Sequence, residues 1–189
     1  MEEFLPVLEA GGRLGAKRVM VCGHDADEGR VTALFAAMCD AAAGFGLGVD
    51  IEFMPWLGVK SLAQAERVVS GAGRPNGGIL VDALHLHRSG ANPADLASVA
   101  PRHFHHMQLC DGPIAQPASL SAIADESKYG RRFPGDGALP LQALLRALPA
   151  GIPISVETPV AAGMTPEDRA MRAFTATRAL LDTMAARQR

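Results

Sequence analysis

The sequence predicts an α/β fold, a partial (β/α)8 barrel of about five parallel strands with outer helices. Two observations predict it. Short, nearly continuous apolar runs alternate with helical segments, the pattern of parallel strands joined by crossover helices. Polar or acidic residues then stand at the ends of these runs, where β/α barrels carry their active sites. An open doubly wound sheet also fits the alternation. No Gly-x-Gly-x-x-Gly follows the first strand, so a dinucleotide-binding fold gains no support.

Taken in order, Glu3–Leu14 reads as a helix and Arg18–Cys22 (RVMVC) as the first strand. Glu28–Phe45 is helical, with Val31, Leu34, Phe35, Met38 and Ala42 on one face at steps of three and four. The second strand is Val49–Met54 (VDIEFM). Ser61–Ser70 follows as an amphipathic helix opened by a capping serine. Gly78–Asp82 (GILVD) is the third strand, Pro93–Val99 a short helix and Phe104–Asp111 (FHHMQLCD) the fourth strand. Leu139–Leu148 is a helix and Ile152–Glu157 (IPISVE) the fifth strand. Thr165–Arg187 closes the chain as a helix opened by Thr165 and Asp168, with Ala170, Phe174, Leu181 and Met184 sharing a face. Eight strands close a barrel of roughly 250 residues. The expectation is therefore one domain over residues 1–189, the C-terminal portion of a barrel whose first three βα units are absent.

The bulk properties exclude several classes. The 189 residues carry a net charge of -2 and no basic stripe, so nucleic acid is not an expected partner. No run approaches the ~20 apolar residues of a membrane span, and the acidic start lacks the features of a signal peptide. Three scattered cysteines, with no Cys-x-x-Cys, indicate neither a disulfide framework nor a structural zinc site. The expected compartment is the cytoplasm. A homo-oligomer is compatible with all of this.

Four residues carry the candidate chemistry: Glu52, Asp82, Gln108 and Glu157. Each ends or interrupts an apolar run, where such a side chain is costly unless paired, hydrogen-bonded or metal-bound. A single acid at a strand end is more often a helix cap or a salt-bridge partner. Four on consecutive strands, spaced by 30, 26 and 49 residues, point to a shared site. Three carboxylates and an amide are oxygen donors, which suit one divalent cation, Mn2+ or Mg2+ before Zn2+. His85, on the loop leaving the third strand, reads either as a contact for a substrate hydroxyl or carbonyl oxygen or as a surface loop histidine. His24 follows the first strand and, with Asp25, is a further lining candidate, although a helix cap by Asp25 or Asp27 is the plainer reading there. Trp56 is either a sugar-stacking wall or core packing. Strict alternation sends His106 and Gln108 to one face and His105 to the other; His103 and His105 read as structural. Arg131–Gly137 (RRFPGDG) is a turn whose glycines let backbone approach a ligand and whose arginine can grip oxygen atoms.

The strings E-F-M-P at 52–55, G-I-L-V-D-A-L-H-L-x-R-S-G at 78–90, Q-L-C-D-G-P at 108–113, R-x-F-P-G-D-G at 131–137 and S-V-E at 155–157 together resemble the xylose-isomerase-like TIM-barrel superfamily. More narrowly they resemble its sugar phosphate isomerase/epimerase group, which includes ketose 3-epimerases. The resemblance implies that the chain holds family strands 4 to 8. It implies one divalent metal bound through Glu, Asp, His and Glu, matched by Glu52, Asp82 and Glu157, with Gln108 where epimerases commonly have His. His85 matches the substrate-contacting histidine after the Asp, and Arg131 the arginine before the Pro-Gly turn.

The implied substrate is a sugar or keto-polyol, free or phosphorylated. Glu52 and Glu157 would move a proton on opposite sides of the carbon beside the ketose carbonyl, through an enediolate, with the metal and Arg131 stabilising the oxyanion. The same site would serve a dehydratase, since proton abstraction begins both reactions. An endonuclease would want more His ligands and a basic face. A non-catalytic truncated product that only binds metal or sugar is the remaining alternative.

Overall fold

A computed structural model describes residues 1–158 and 163–186. Five strands form one parallel sheet in sequential order: β1 (Arg18–Cys22), β2 (Gly48–Glu52), β3 (Gly77–Asp82), β4 (Phe104–Leu109) and β5 (Ile154–Val156). Sequential order in a parallel sheet means that each crossover returns on the same side, as in a barrel. Here the strands make a half-barrel with helices on its outer surface, and β1 and β5 are its two edges.

The helices are α1 (Leu5–Arg13), α2 (Glu28–Ala43), α3 (Leu62–Ala72), α4 (Ala83–Arg88), α5 (Leu120–Tyr129), α6 (Leu141–Ala147) and α7 (Pro166–Ala186). Side-chain caps start several of them. Asp27 accepts from the Arg30 amide, Ser61 from Gln64, Ser119 from Ala122 and Thr165 from Asp168. Each such cap satisfies an amide that the helix itself leaves open and is worth about 1 kcal/mol. Gly73 ends α3 in the left-handed conformation, φ 61°.

The core lies between the sheet's outer face and the helices. Val49, Ile51, Ile79, Val81, Met107 and Leu109 point into it and meet Phe35, Met38, Cys39, Val68 and Val69. Alternation turns Asp50, Glu52, Leu80, Asp82 and Gln108 to the concave face. The polar residues of the apolar runs therefore share the face that the helices do not cover.

Several expectations need correction. Strand β2 ends at Glu52, β4 at Leu109 and β5 at Val156, so Glu157 stands just past its strand. Pro93–Ser98 is a 3-10 turn, opened by an Asn92–Asp95 capping box. Helices α4 and α5 were not predicted. Six residues are too few for the first to show a period, and α5 is polar enough to read as loop. Leu34, which periodicity places on the apolar face of α2, is 59% exposed. Helix α7 has no buried residue and Phe174 is 64% exposed; the helix touches β5 and, through Arg172, the turn at Phe133 and Asp136. The expected end of that helix at Arg187 lies outside the described residues. No helix among the described residues is long and apolar enough to cross a membrane.

Candidate metal centre

Strand register assembles the site. Cys22 pairs with Glu52 across β1 and β2, Asp82 with Gln108 across β3 and β4, and Gln108 with Ser155 across β4 and β5. Glu157 is two residues past Ser155, so it returns to the same face. Residues far apart in the chain thus finish their strands at one level. Glu52, Asp82 and Glu157 each offer a carboxylate oxygen, and the three atoms lie within 4.8 Å of one another.

Gln108 completes the group. An amide oxygen facing these acceptors is unpaired, and the reversed orientation satisfies both ends of the amide. Turned over, the amide nitrogen donates to Glu52 Oε1 at 2.9 Å and to Glu157 Oε2 at 3.3 Å. Either way the amide addresses the two glutamates.

One guanidinium stands against the three carboxylates. Arg131 is buried; its Nη1 donates to Asp82 Oδ2 at 2.7 Å and to Cys110 Sγ at 3.0 Å. Its Nε donates to the Ser127 carbonyl at 2.8 Å, and its Nη2 lies 3.1 Å from Glu157 Oε2. The same Nη2 is 3.2 Å from His85 Nε2. His85 is 2% exposed, and its Nδ1 has no hydrogen-bond partner among the described residues. Asp82 also caps α4, accepting from the His85 amide at 2.8 Å. That cap ties the carboxylate to the histidine three residues on.

The charges do not balance. Burial, reinforced by Asp82 and Glu157, pushes the Glu52 carboxyl up to about 8. Burial also raises Glu157, though Arg131 opposes it. Burial would raise Asp82 too, but His85, Arg131 and the hydrogen bonds they donate hold it below its ordinary value. Burial lowers His85, which favours the neutral imidazole. Burial together with Glu52 and Glu157 pushes the Cys22 thiol up to about 11; its Sγ is 4.0 Å from Glu52 Oε2. Three acids gathered around one fixed counter-charge, two of them buried, form a set of oxygen donors that could hold a metal ion.

The remaining candidates divide. Trp56 is half-buried and meets His85 edge-on, with ring centroids 5.1 Å apart, so it belongs to the site wall. His24 is exposed, in the wall of an apolar groove of about 730 Å³ beside β1. Beside it Asp25 pairs with Arg30 and Asp27 caps α2. His103 pairs with Glu66 at 2.9 Å, a structural role as expected. His105 was expected on the face opposite Gln108. A register irregularity at Ile79/Leu80 instead sends it to Asp50, at 3.0 Å. Gly78 makes this possible, since a Cβ there would collide with the imidazole.

The Pro-Gly turn also differs from expectation. Asp111 accepts from the amides of Gly112, Gly135 and Leu139, and a Cβ on Gly137 would strike its carboxylate. The glycines admit Asp111, and the turn is held as the platform behind Arg131. Asp111, Cys110 and Cys22 were not singled out from the sequence. The only signal was their place at strand ends.

Fold and site together define a β/α-barrel protein with an acidic centre at the C-terminal ends of its strands. A family model for the xylose isomerase-like TIM barrel matches residues 1–180, and the chain belongs to that family. An inosose isomerase from Bacillus velezensis is 29% identical over 113 residues, 59% of this chain and 38% of that protein. The matched region thus spans well under half of that relative's length. The crystal structure of IolI protein with a binding zinc atom superimposes with TM-score 0.85 at 22% identity, covering 97% of this chain and 69% of that one. An L-ribulose 3-epimerase structure superimposes with TM-score 0.72 at 15% identity, covering 99% and 68%.

Proposed function

We propose that this chain carries the divalent-metal centre of an isomerase or epimerase acting on a sugar or a sugar-like keto-polyol. The observation that carries the reading is the convergence of Glu52, Asp82 and Glu157 within 4.8 Å against a single buried guanidinium. The similarity to an inosose isomerase and to an L-ribulose 3-epimerase structure supports the substrate class.

The donor set fits a cation. Glu52, Asp82, Gln108 and Glu157 would hold it, all through oxygen, which favours Mn2+ or Mg2+ on donor chemistry. Zn2+ is the competing ion, since a similar solved structure contains it. A bound dication would supply Lewis-acid polarisation of the carbonyl and of the C–H beside it. The protein's own groups then move the proton. One of Glu52 and Glu157 takes it from the carbon next to the carbonyl. The other returns it to the opposite side of the resulting enediolate. Arg131 keeps Asp82 ionised and gives positive charge at the site where an oxyanion develops. Trp56 walls the site from water and packs the His85 ring in place.

The test is solvent exchange. The chain is incubated in D2O with Mn2+, Mg2+ or Zn2+ and a panel of ketoses and keto-cyclitols. Metal-dependent incorporation of one deuterium beside the carbonyl is expected. No exchange with any ion on any member overturns the reading. Loss of water detected by mass spectrometry would assign a dehydratase to the same site.

A further inference from the structure

Arg131 reaches Asp82 from 49 residues away, so something must hold it there. Its Nε donates to the Ser127 carbonyl, and Arg131 follows the end of α5 directly. The placement of α5 therefore sets the placement of the guanidinium. Helix α5 is tied in turn to α4. Arg88, the last residue of α4, donates to both carboxylate oxygens of Glu126, at 2.6 and 2.8 Å. Its Nη2 also donates to the Pro113 carbonyl at 2.7 Å. The first end of α4 is the Asp82 cap, with His85 one turn before Arg88.

These links close a ring. It runs from Asp82 along α4 to Arg88, across to Glu126, one residue along α5 to Ser127, and through Arg131 back to Asp82. The Arg88 side chain is 0% exposed and that of Glu126 11%. Removing both charges from water costs several kcal/mol per ion, and well-packed apolar residues often do as well for stability. The Arg88 Nη1 has no hydrogen-bond partner among the described residues, a further cost. A pair kept under these penalties is suited to directing geometry: a bidentate Arg–carboxylate bond fixes angle as well as distance.

We infer that Arg88 and Glu126 are positioning residues for the candidate metal centre, acting through Arg131. The inference rests on the proposed reading for its functional meaning. Neither side chain touches the three carboxylates. Their bond holds α5 in register with α4 and so aims the Arg131 guanidinium at Asp82 and Glu157.

The test uses the full chain and two readouts. One is hydrogen exchange at the Arg131 Nε–H by NMR; the other is Mn2+ affinity by calorimetry. The variants are E126Q and R88M/E126L, each also in an R131M background. In E126Q the Nε–H is expected to exchange at least about tenfold faster, because its acceptor helix is released. Mn2+ affinity is expected to fall about tenfold, as for other residues that orient ligands from behind. R88M/E126L, which restores packing without direction, is expected to keep its melting temperature and show both losses. The Mn2+ loss is expected to vanish in R131M, since the effect travels through that side chain. A folded E126Q with unchanged exchange and affinity overturns the inference, and so do losses that simply add to those of R131M. Should R88M/E126L fail to fold, E126Q still decides. If the unmodified chain binds no Mn2+, the metal reading falls, and Arg131 exchange alone decides whether the pair positions it.

Discussion

Asp50 and Glu52 stand two residues apart on β2, face the same side of the sheet and are each 2% exposed. Their charge states nonetheless diverge. Burial would raise Asp50, but His105 and Arg18 hold it below its ordinary value, with Arg18 Nε at 2.6 Å. Glu52 faces two further carboxylates and is pushed up to about 8. Strand position and burial are the same, so only the partners differ. Asp50 is a finished ion pair, whereas Glu52 belongs to a group that is short of positive charge. That difference separates a structural acid from a candidate functional one.

The sharpest way to test the contrast is at the reacting groups. E157Q keeps the shape of the side chain and removes its ability to accept a proton. Solvent deuterium exchange into a substrate should fall by about 10²–10⁴-fold, while the folded chain persists. Full exchange in E157Q would end the two-glutamate scheme. Cation dependence comes next. At Mn2+ about 100-fold above Kd, the wild-type chain should gain about 2.7 kcal/mol of stability, read as a rise in melting temperature. D82N should lose most of that rise.

D50A should behave in the opposite manner. It strips Arg18 and His105 of their partner and should cost about 2 kcal/mol in denaturant unfolding, discounted because Arg18 is partly exposed. Mn2+ affinity should change little. A large loss of Mn2+ affinity in D50A would erase the distinction between the two acids.

The smallest effect is the pH dependence of metal-free stability. Glu52 binds its proton more tightly folded than unfolded. Its contribution is therefore complete below the ordinary glutamate range and is lost as pH rises toward about 8. Glu157 adds in the same direction. Asp50 works with the other sign: its contribution is present at neutral pH and is lost on acidification through the carboxylate range. Melting temperature followed across pH should show both limbs. E52Q should flatten the alkaline fall and leave the acid fall intact.

Much of the molecule was legible in one dimension. The apolar run at Ile79–Val81 marks a strand buried along its length, because continuous burial leaves a continuous signature, whereas in β1 Met20 is 47% exposed. Glu52, Asp82 and Glu157 were visible because an acid ending such a run needs a partner. His105 was misplaced because a register irregularity breaks the alternation on which the assignment depended. Leu34 and Phe174 lie on the apolar faces that periodicity marks and are exposed, since helical periodicity shows an apolar stripe but not whether anything covers it.

What the sequence by itself determined is therefore the order of the strands and of most helices, the caps at Ser61 and Thr165, a cap at Asp25 or Asp27, and the level on each strand where polar side chains occur. These depend on neighbours a few residues away. Tertiary structure alone decided that Asp82 and Arg131, 49 residues apart, would share one buried bond. It also decided that Glu52 would be crowded by like charge while Asp50 was neutralised, and that Asp111 would serve the turn behind Arg131. The reason is physical: backbone preference is local, but the energy of a buried charge is set by every group that packs around it.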